Sequence, residues 1–184
     1  IVRGYKKNSK LITCEVTPHH IYFNDSALST FNSNFKVAPP IRSEEHRKSL
    51  IEGLRDGTID CIATDHAPHN IEEKENDFVH ASCGMTGLET SFSSAYTVLS
   101  KENFSIEKII KLFTSNPSNI MNLNKKFLKK SSDAELVVID LNKKWKVKPE
   151  IFKSKSNNSG FIGETLKSKV IHTIFGKNCF ENKL

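Results

Sequence analysis

The sequence predicts an α/β chain in which parallel strands end in polar loops, followed by a smaller β unit. Three observations carry this prediction. The apolar run Ile59-Asp60-Cys61-Ile62-Ala63 breaks off into Thr64-Asp65-His66-Ala67-Pro68-His69, so a buried strand delivers ionisable groups at its carboxyl end, as the strands of α/β barrels do. A second strand-like run, Leu11-Ile12-Thr13-Cys14-Glu15-Val16, precedes it with one amphipathic helix pattern between them, and strand, helix, strand in that order implies a parallel crossover. Beyond about Lys125 the helical periodicity gives way to strand-like segments bounded by turn residues. Residues 1–124 are therefore expected to form parallel strands with their helices, and 125–184 a small β domain and a tail, with the junction in the Lys125–Lys130 run.

The elements are taken in chain order. Thr17-Pro18-His19-His20 closes the first strand, and 24–37, polar with scattered phenylalanines, reads as a loop with a short helix punctuated by Pro39-Pro40. Ser43 caps the next helix, placing Glu44 and Glu45 in its positive first turn, with Leu50, Ile51 and Leu54 as its apolar stripe and Gly57 as its stop. The charged stretch 72–81 is a candidate mobile loop. Gly84 and Gly87 bracket Met85-Thr86 before a helix over about 88–99. Ser105 caps another, where Ile106, Ile109, Ile110 and Phe113 share one face. Asn116-Pro117 opens a third, with proline at its first helical position. In the tail, 134–140, 145–147 and 168–175 read as strands, the last ending in a Gly176-Lys177-Asn178 turn before Cys179-Phe180, and 153–158 as a polar loop.

Composition excludes several classes. Hydrophobic residues at 37% and charged residues at 26% suit a soluble globular chain rather than a disordered one. A length of 184 residues suits one domain or pieces of two, and with a start at Ile1 rather than Met a fragment or a processed product is expected. There is no apolar stretch of transmembrane length and no signal-peptide pattern, so no membrane association is expected. The formal charge is +6, but the lysines are scattered without interleaved aromatics, so no nucleic-acid partner is expected either. The cysteines at 14, 61, 83 and 179 form no CxxC pair; Cys14 and Cys61 read as reduced core thiols, which fits a cytoplasmic protein.

Asp65, His66 and His69 concentrate three ionisable groups within five residues at a strand end. Spacing alone does not separate a metal site from a metal-free acid–base site, and one aspartate at a strand end also serves as a turn or cap residue. Adjacent residues on an extended chain face opposite ways, so at most one of His19 and His20 is expected to point into a site, the alternative being a packing or supporting histidine. Gly84 precedes a helix, where free backbone N–H groups can meet a ligand, or it simply makes a turn.

Four blocks in order, Cys14-Glu15-Val16-Thr17-Pro18-His19-His20, Pro39-Pro40-Ile41-Arg42-Ser43-Glu44-Glu45, the run from Asp56 to His69, and Gly87-Leu88-Glu89-Thr90, resemble dihydroorotases of the long, class I branch of the amidohydrolase superfamily. The run from Ser132 to Asp140 is similar to the return strand of that superfamily's small domain, and the resemblance covers about 11–180. Allantoinases and dihydropyrimidinases share the Asp-His pair, but Ala63–His69 looks most like dihydroorotase.

The resemblance implies the carboxyl-terminal portion of a metal-dependent (β/α)8 TIM-type barrel plus part of a small β-sandwich domain. It implies the reversible cyclisation of N-carbamoyl-L-aspartate to dihydroorotate in de novo pyrimidine synthesis, a small-molecule substrate, and Zn2+ as one or two ions. Asp65 matches the family's metal ligand and catalytic proton shuttle, His69 the residue that binds the substrate carboxylate, and Cys83-Gly84 a backbone position that contacts substrate. The other metal ligands would lie upstream of Ile1, so the isolated segment is expected to be inactive. Ala38 stands where bacterial members carry a substrate-binding Asn, and it can make no such contact. Two alternatives stay open: another cyclic amidase of hydantoinase or allantoinase type, and a non-catalytic dihydroorotase-like subunit supporting aspartate transcarbamoylase. Ala38 favours the latter; Asp65 and His69 oppose it. A homodimer or a complex with aspartate transcarbamoylase is the assembly the resemblance implies.

Overall fold

A computed structural model gives the fold and describes residues 1–9, 11–123, 130 and 132–182. The chain opens on a short helix, α1 (Val2–Lys6), tied to the stretch 56–60 that leads into the second strand by ion pairs from Arg3 to Asp56 and from Lys6 to Asp60. Strand β1 (Glu15–Val16) leads into a single helical turn, α2 (Pro18–Tyr22), and then two 3-10 turns over Asp25–Thr30 and Ser33–Phe35. Helix α3 (Glu44–Asp56) carries the chain to strand β2 (Cys61–Ile62). The strands pair in parallel, Glu15 opposite Cys61 and Val16 opposite Ile62, so the expected crossover is present.

Both strands are shorter than the sequence predicts. One bond continues the ladder past its end, from Ala63 N–H to the Val16 carbonyl (3.1 Å). At the other end the Asp60 carboxylate takes the Cys14 N–H (2.8 Å), and Leu11 is left 93% exposed. The predicted alternation persists beyond the ladder: Leu11, Thr13 and Glu15 are exposed, whereas Ile12, Cys14 and Val16 turn inward.

Past β2, the expected irregular stretch contains one helical turn, α4 (Ile71–Lys74), capped by the Asn70 side chain. Helix α5 (Ser91–Leu99) starts later than predicted, because the Gly87 and Leu88 N–H groups point at His66 Nδ1 (3.1 and 3.4 Å) instead of opening the helix. Helix α6 (Ile106–Phe113) is capped by Ser105 Oγ on the Lys108 N–H, as expected. In α7 (Ser115–Ile120) Pro117 sits at the third position rather than the first, still within the turn whose N–H groups lack helical partners. The core between strands and helices gathers Val16, Ile51, Leu54, Ile62, Ala95, Leu99, Ile109 and Leu112. Burial of each large aliphatic side chain there contributes about 1.5–3 kcal/mol.

The tail forms an antiparallel sheet ordered β3 (Glu135–Lys146), β4 (Thr165–Phe175), β5 (Asn178–Glu181). Strand β3 joins the two strands expected over 134–147. Its pairing is irregular between Asp140 and Lys144, where Asp140 Oδ1 accepts the Asn142 and Lys143 N–H groups. Hydroxyls on α5 stitch this sheet on: Ser93 Oγ donates to the Ser168 carbonyl (2.9 Å), and the Lys167 N–H donates to Thr97 Oγ1 (2.8 Å). A second core cluster takes Phe23, Val37, Ile41 and Met85 from before the tail and Val147, Ile151, Phe152, Phe161 and Leu166 from within it. Apart from Lys130, the expected junction lies outside the described residues. Among the described residues no helix is long and apolar enough to cross a membrane.

Candidate functional site

Because β1 and β2 are parallel, the loops after them open on one rim. Asp65 comes after β2 in a left-handed conformation (φ 49°), which aspartate tolerates better than most residues. Its side chain is 48% exposed and has no hydrogen-bond partner among the described residues. His19 Nε2 lies 3.9 Å from Asp65 Oδ2.

The sequence expectation of an extended Thr17–His20 segment is corrected here. Thr17 caps, and Pro18 begins, a helical turn. His20 bonds Thr17 Oγ1 (2.6 Å) and the Pro39 carbonyl (2.9 Å), while His19 is buried with no hydrogen-bond partner for Nε2. One histidine of the pair faces Asp65, and it is the buried one. Burial first, and the neighbouring His20 second, push the His19 imidazole down to about 3, so it is neutral at physiological pH.

This burial gives a pH signature. The unfolded chain protonates His19 below the ordinary value of 6.5, whereas the folded chain holds it neutral down to about 3. The unfolded state therefore binds more protons across that window. The stability gained from a neutral His19 is complete above 6.5 and is lost as pH falls towards 3, by up to about 1.4 kcal/mol per unit. Urea melts between pH 7 and 4 are expected to show a shallower decline for His19→Asn than for the parent chain; identical slopes would contradict this origin.

His69, Cys83 and Gly84, named together from the sequence, come together in space. The His69 ring lies between two acceptors, Glu73 Oε2 at 2.8 Å from Nδ1 and the Cys83 carbonyl at 3.0 Å from Nε2. Gly84 is buried at φ +137°, and a Cβ there would sit 2.6 Å from the Ala67 Cβ and 2.9 Å from His69 Nε2. Its N–H donates to the Lys36 carbonyl (2.8 Å), and α5 begins only at Ser91, so this N–H belongs to a loop clamp rather than a helix terminus. Cys83 is exposed.

Three residues that sequence reasoning missed build this loop cluster. The buried Lys74 ammonium donates to the carbonyls of Ser33 (2.7 Å), Ser82 (2.9 Å) and Gly84 (3.0 Å), and its burial lowers its pKa. Asn158 accepts the His69 N–H through Oδ1 (3.0 Å) and donates through Nδ2 to the carbonyls of Ala67 and Gly84 (both 3.2 Å). Glu73 holds the His69 ring. Glu73 and Lys74 lie inside a charged run and Asn158 inside a polar loop, with no local pattern to mark any of them.

Among the described residues no group of three or more His, Cys, Asp or Glu side chains is arranged to hold a metal ion. Asp65, whose carboxylate makes no hydrogen bond among the described residues, has the donor chemistry of one ligand. A metal centre on this rim needs further ligands, since zinc sites take three or four from protein.

An acid stands at a parallel strand's carboxyl end with a clamped histidine loop beside it, and comparison with known proteins gives this arrangement its class. The chain belongs to the amidohydrolase family, whose sequence model matches residues 3–174. It is similar to proteins named dihydroorotase: that of Staphylococcus epidermidis is 44% identical over 185 residues, covering 100% of this chain and 44% of that protein. That of Caldicellulosiruptor saccharolyticus is 46% identical over 165 residues, covering 89% of this chain and 38% of that protein. The chain thus spans less than half the length of these relatives. Among solved structures, the L-hydantoinase of Arthrobacter aurescens superposes with a TM-score of 0.90 at 28% identity, covering 100% of this chain and 42% of that one. A D-hydantoinase matches in fold, with a TM-score of 0.86 at 17% identity over 99% of this chain and 42% of its own. The expected barrel-type α/β architecture is that of these amidohydrolases.

Proposed function

We propose that the protein acts as a dihydroorotase, interconverting N-carbamoyl-L-aspartate and dihydroorotate in pyrimidine synthesis, with one or two zinc ions. The observation that carries the proposal is the run Ala63–His69 folded onto one rim, with an unpartnered Asp65 carboxylate and an anchored His69. Relatives named dihydroorotase support it. Zinc, when bound, makes hydroxide available near neutral pH and polarises the amide carbonyl. Asp65 contributes one carboxylate to the ion and carries the proton: in ring opening it accepts the proton of the attacking water and delivers it to the departing ring nitrogen, and in cyclisation it moves the proton back. His69 binds the substrate carboxylate, and the Cys83-Gly84 backbone lines the same pocket. The remaining metal ligands would come from upstream of Ile1, where the resemblance places them.

A cytoplasmic location and assembly as a homodimer or with aspartate transcarbamoylase belong to the same proposal. The test is turnover of dihydroorotate, hydantoin, dihydrouracil and allantoin by zinc-loaded full-length protein. Dihydroorotate is expected to be preferred by about tenfold or more, since a substrate lacking the carboxylate forgoes the charge-assisted contact with His69 and leaves the ring on the Cys83 carbonyl. Preference for hydantoin would move the protein to the other cyclic amidases. Absence of turnover in a folded, zinc-loaded protein that binds aspartate transcarbamoylase would make it a supporting subunit, as Ala38 alone would favour.

A further inference from the structure

We infer that Glu73 is the positioning residue of the His69 anchor, fixing the ring so that it meets a substrate carboxylate with both nitrogens protonated. The inference rests on the reading of His69 as that anchor. The two partners of the ring, the Glu73 carboxylate and the Cys83 carbonyl, are both acceptors. With Glu73 an ionised, acceptor-only carboxylate, a neutral imidazole with its one N–H would turn a lone pair towards one of them; both contacts are then hydrogen bonds only when both nitrogens carry protons. The Glu73 contact at 2.8 Å is then charge-assisted and holds the ring plane, while the Nε2–H at the carbonyl of Cys83, an exposed residue, is the one a ligand carboxylate takes over.

The placement of Glu73 is itself specific. It occupies the third position of α4, and its N–H is bonded by the cap residue Asn70 through Oδ1 (2.8 Å). In a capping box the carboxylate at this position returns to the N–H of the cap residue. Here it reaches one residue further, to the ring of His69. The next residue, Lys74, locks the same turn to three carbonyls, including that of Gly84 beside the ring. One helical turn thus sets both the ring and the loop it faces.

The experiment is a double-mutant cycle on the zinc-loaded full-length protein, with Glu73→Gln, His69→Gln and the pair. Glu73→Gln is expected to raise KM for dihydroorotate about tenfold with kcat nearly unchanged, and to add nothing in the His69→Gln background. Nitrogen-15 spectra of the histidine rings are expected to show two protonated nitrogens for His69 in the parent protein and one in Glu73→Gln. An equal KM effect of Glu73→Gln in both backgrounds, or a neutral His69 ring in the parent, would overturn the inference. If His69→Gln leaves KM unchanged in an active enzyme, or if dihydroorotate is not turned over at all, the functional reading fails, and the ring spectra still decide whether Glu73 governs His69.

Discussion

Asp65→Asn is expected to abolish dihydroorotate turnover, lowering kcat by about 10²–10⁴-fold through loss of the proton carrier alone, and further if zinc is lost with it. The replacement is chosen to isolate the chemistry. Asn is isosteric and, like Asp, tolerates the left-handed backbone that residue 65 adopts at φ 49°. No hydrogen bond among the described residues is sacrificed, because the carboxylate makes none. The fold should therefore persist while the site loses its only anionic oxygens at the end of β2. The neighbouring His19 cannot substitute as a base across 3.9 Å, since its buried ring is fixed in α2. Steady-state kinetics, circular dichroism and elemental analysis for zinc check the three parts separately. A variant that keeps its kcat within a few-fold would remove Asp65 from the mechanism, and one that keeps its zinc but not its activity would confine Asp65 to proton transfer.

What the sequence made legible, and what it did not, divides by range of interaction. The Ser105 cap and the β1–α3–β2 crossover are written in neighbouring residues and are found as expected. Ser43 occupies its cap position, but its hydroxyl bonds His46 Nδ1 (2.8 Å) instead of the helix backbone, a competition between two nearby partners that spacing cannot settle. A strand precedes His19 and His20, which is why extended chain is expected there; Thr17 and Pro18 are, however, a helix start signal that the sequence carries openly. Asp65 and His69 stand out because their chemistry is concentrated in five residues. Asn158 does not, because the groups it joins lie 74 to 91 residues away, and nothing local distinguishes an asparagine that bridges two loops from one in a solvated turn. Lys74 reads as surface charge for the same reason: its three acceptors are carbonyls, which every residue has.

Gly84→Ala tests whether that long-range clamp sets the site. Residue 84 combines a positive φ of +137° with no room for a methyl group, since its Cβ would come within 2.6 Å of the Ala67 Cβ and 2.9 Å of His69 Nε2. The backbone has little freedom to retreat. Its N–H is held by the Lys36 carbonyl at 2.8 Å, and its carbonyl accepts from Lys74 Nζ at 3.0 Å and Asn158 Nδ2 at 3.2 Å. Relief comes either by breaking this clamp or by driving the His69 ring off the Cys83 carbonyl. Backbone strain and overpacking each contribute about 1–3 kcal/mol, so a loss of about 2–6 kcal/mol in urea melts is expected, with KM for dihydroorotate raised about tenfold or more as the anchor is displaced. Gly163→Ala supplies the control. It has a comparable positive φ of +91° but nothing within 4 Å of its Cβ, so it carries strain without a clash and should cost about 1–2 kcal/mol with KM unchanged. If the two variants behave alike, the close packing of Gly84 against His69 has no part in substrate binding. If Gly84→Ala alone raises KM, the close fit of the Gly84 backbone, held by Lys74 and Asn158, is what keeps the His69 ring in place for its substrate.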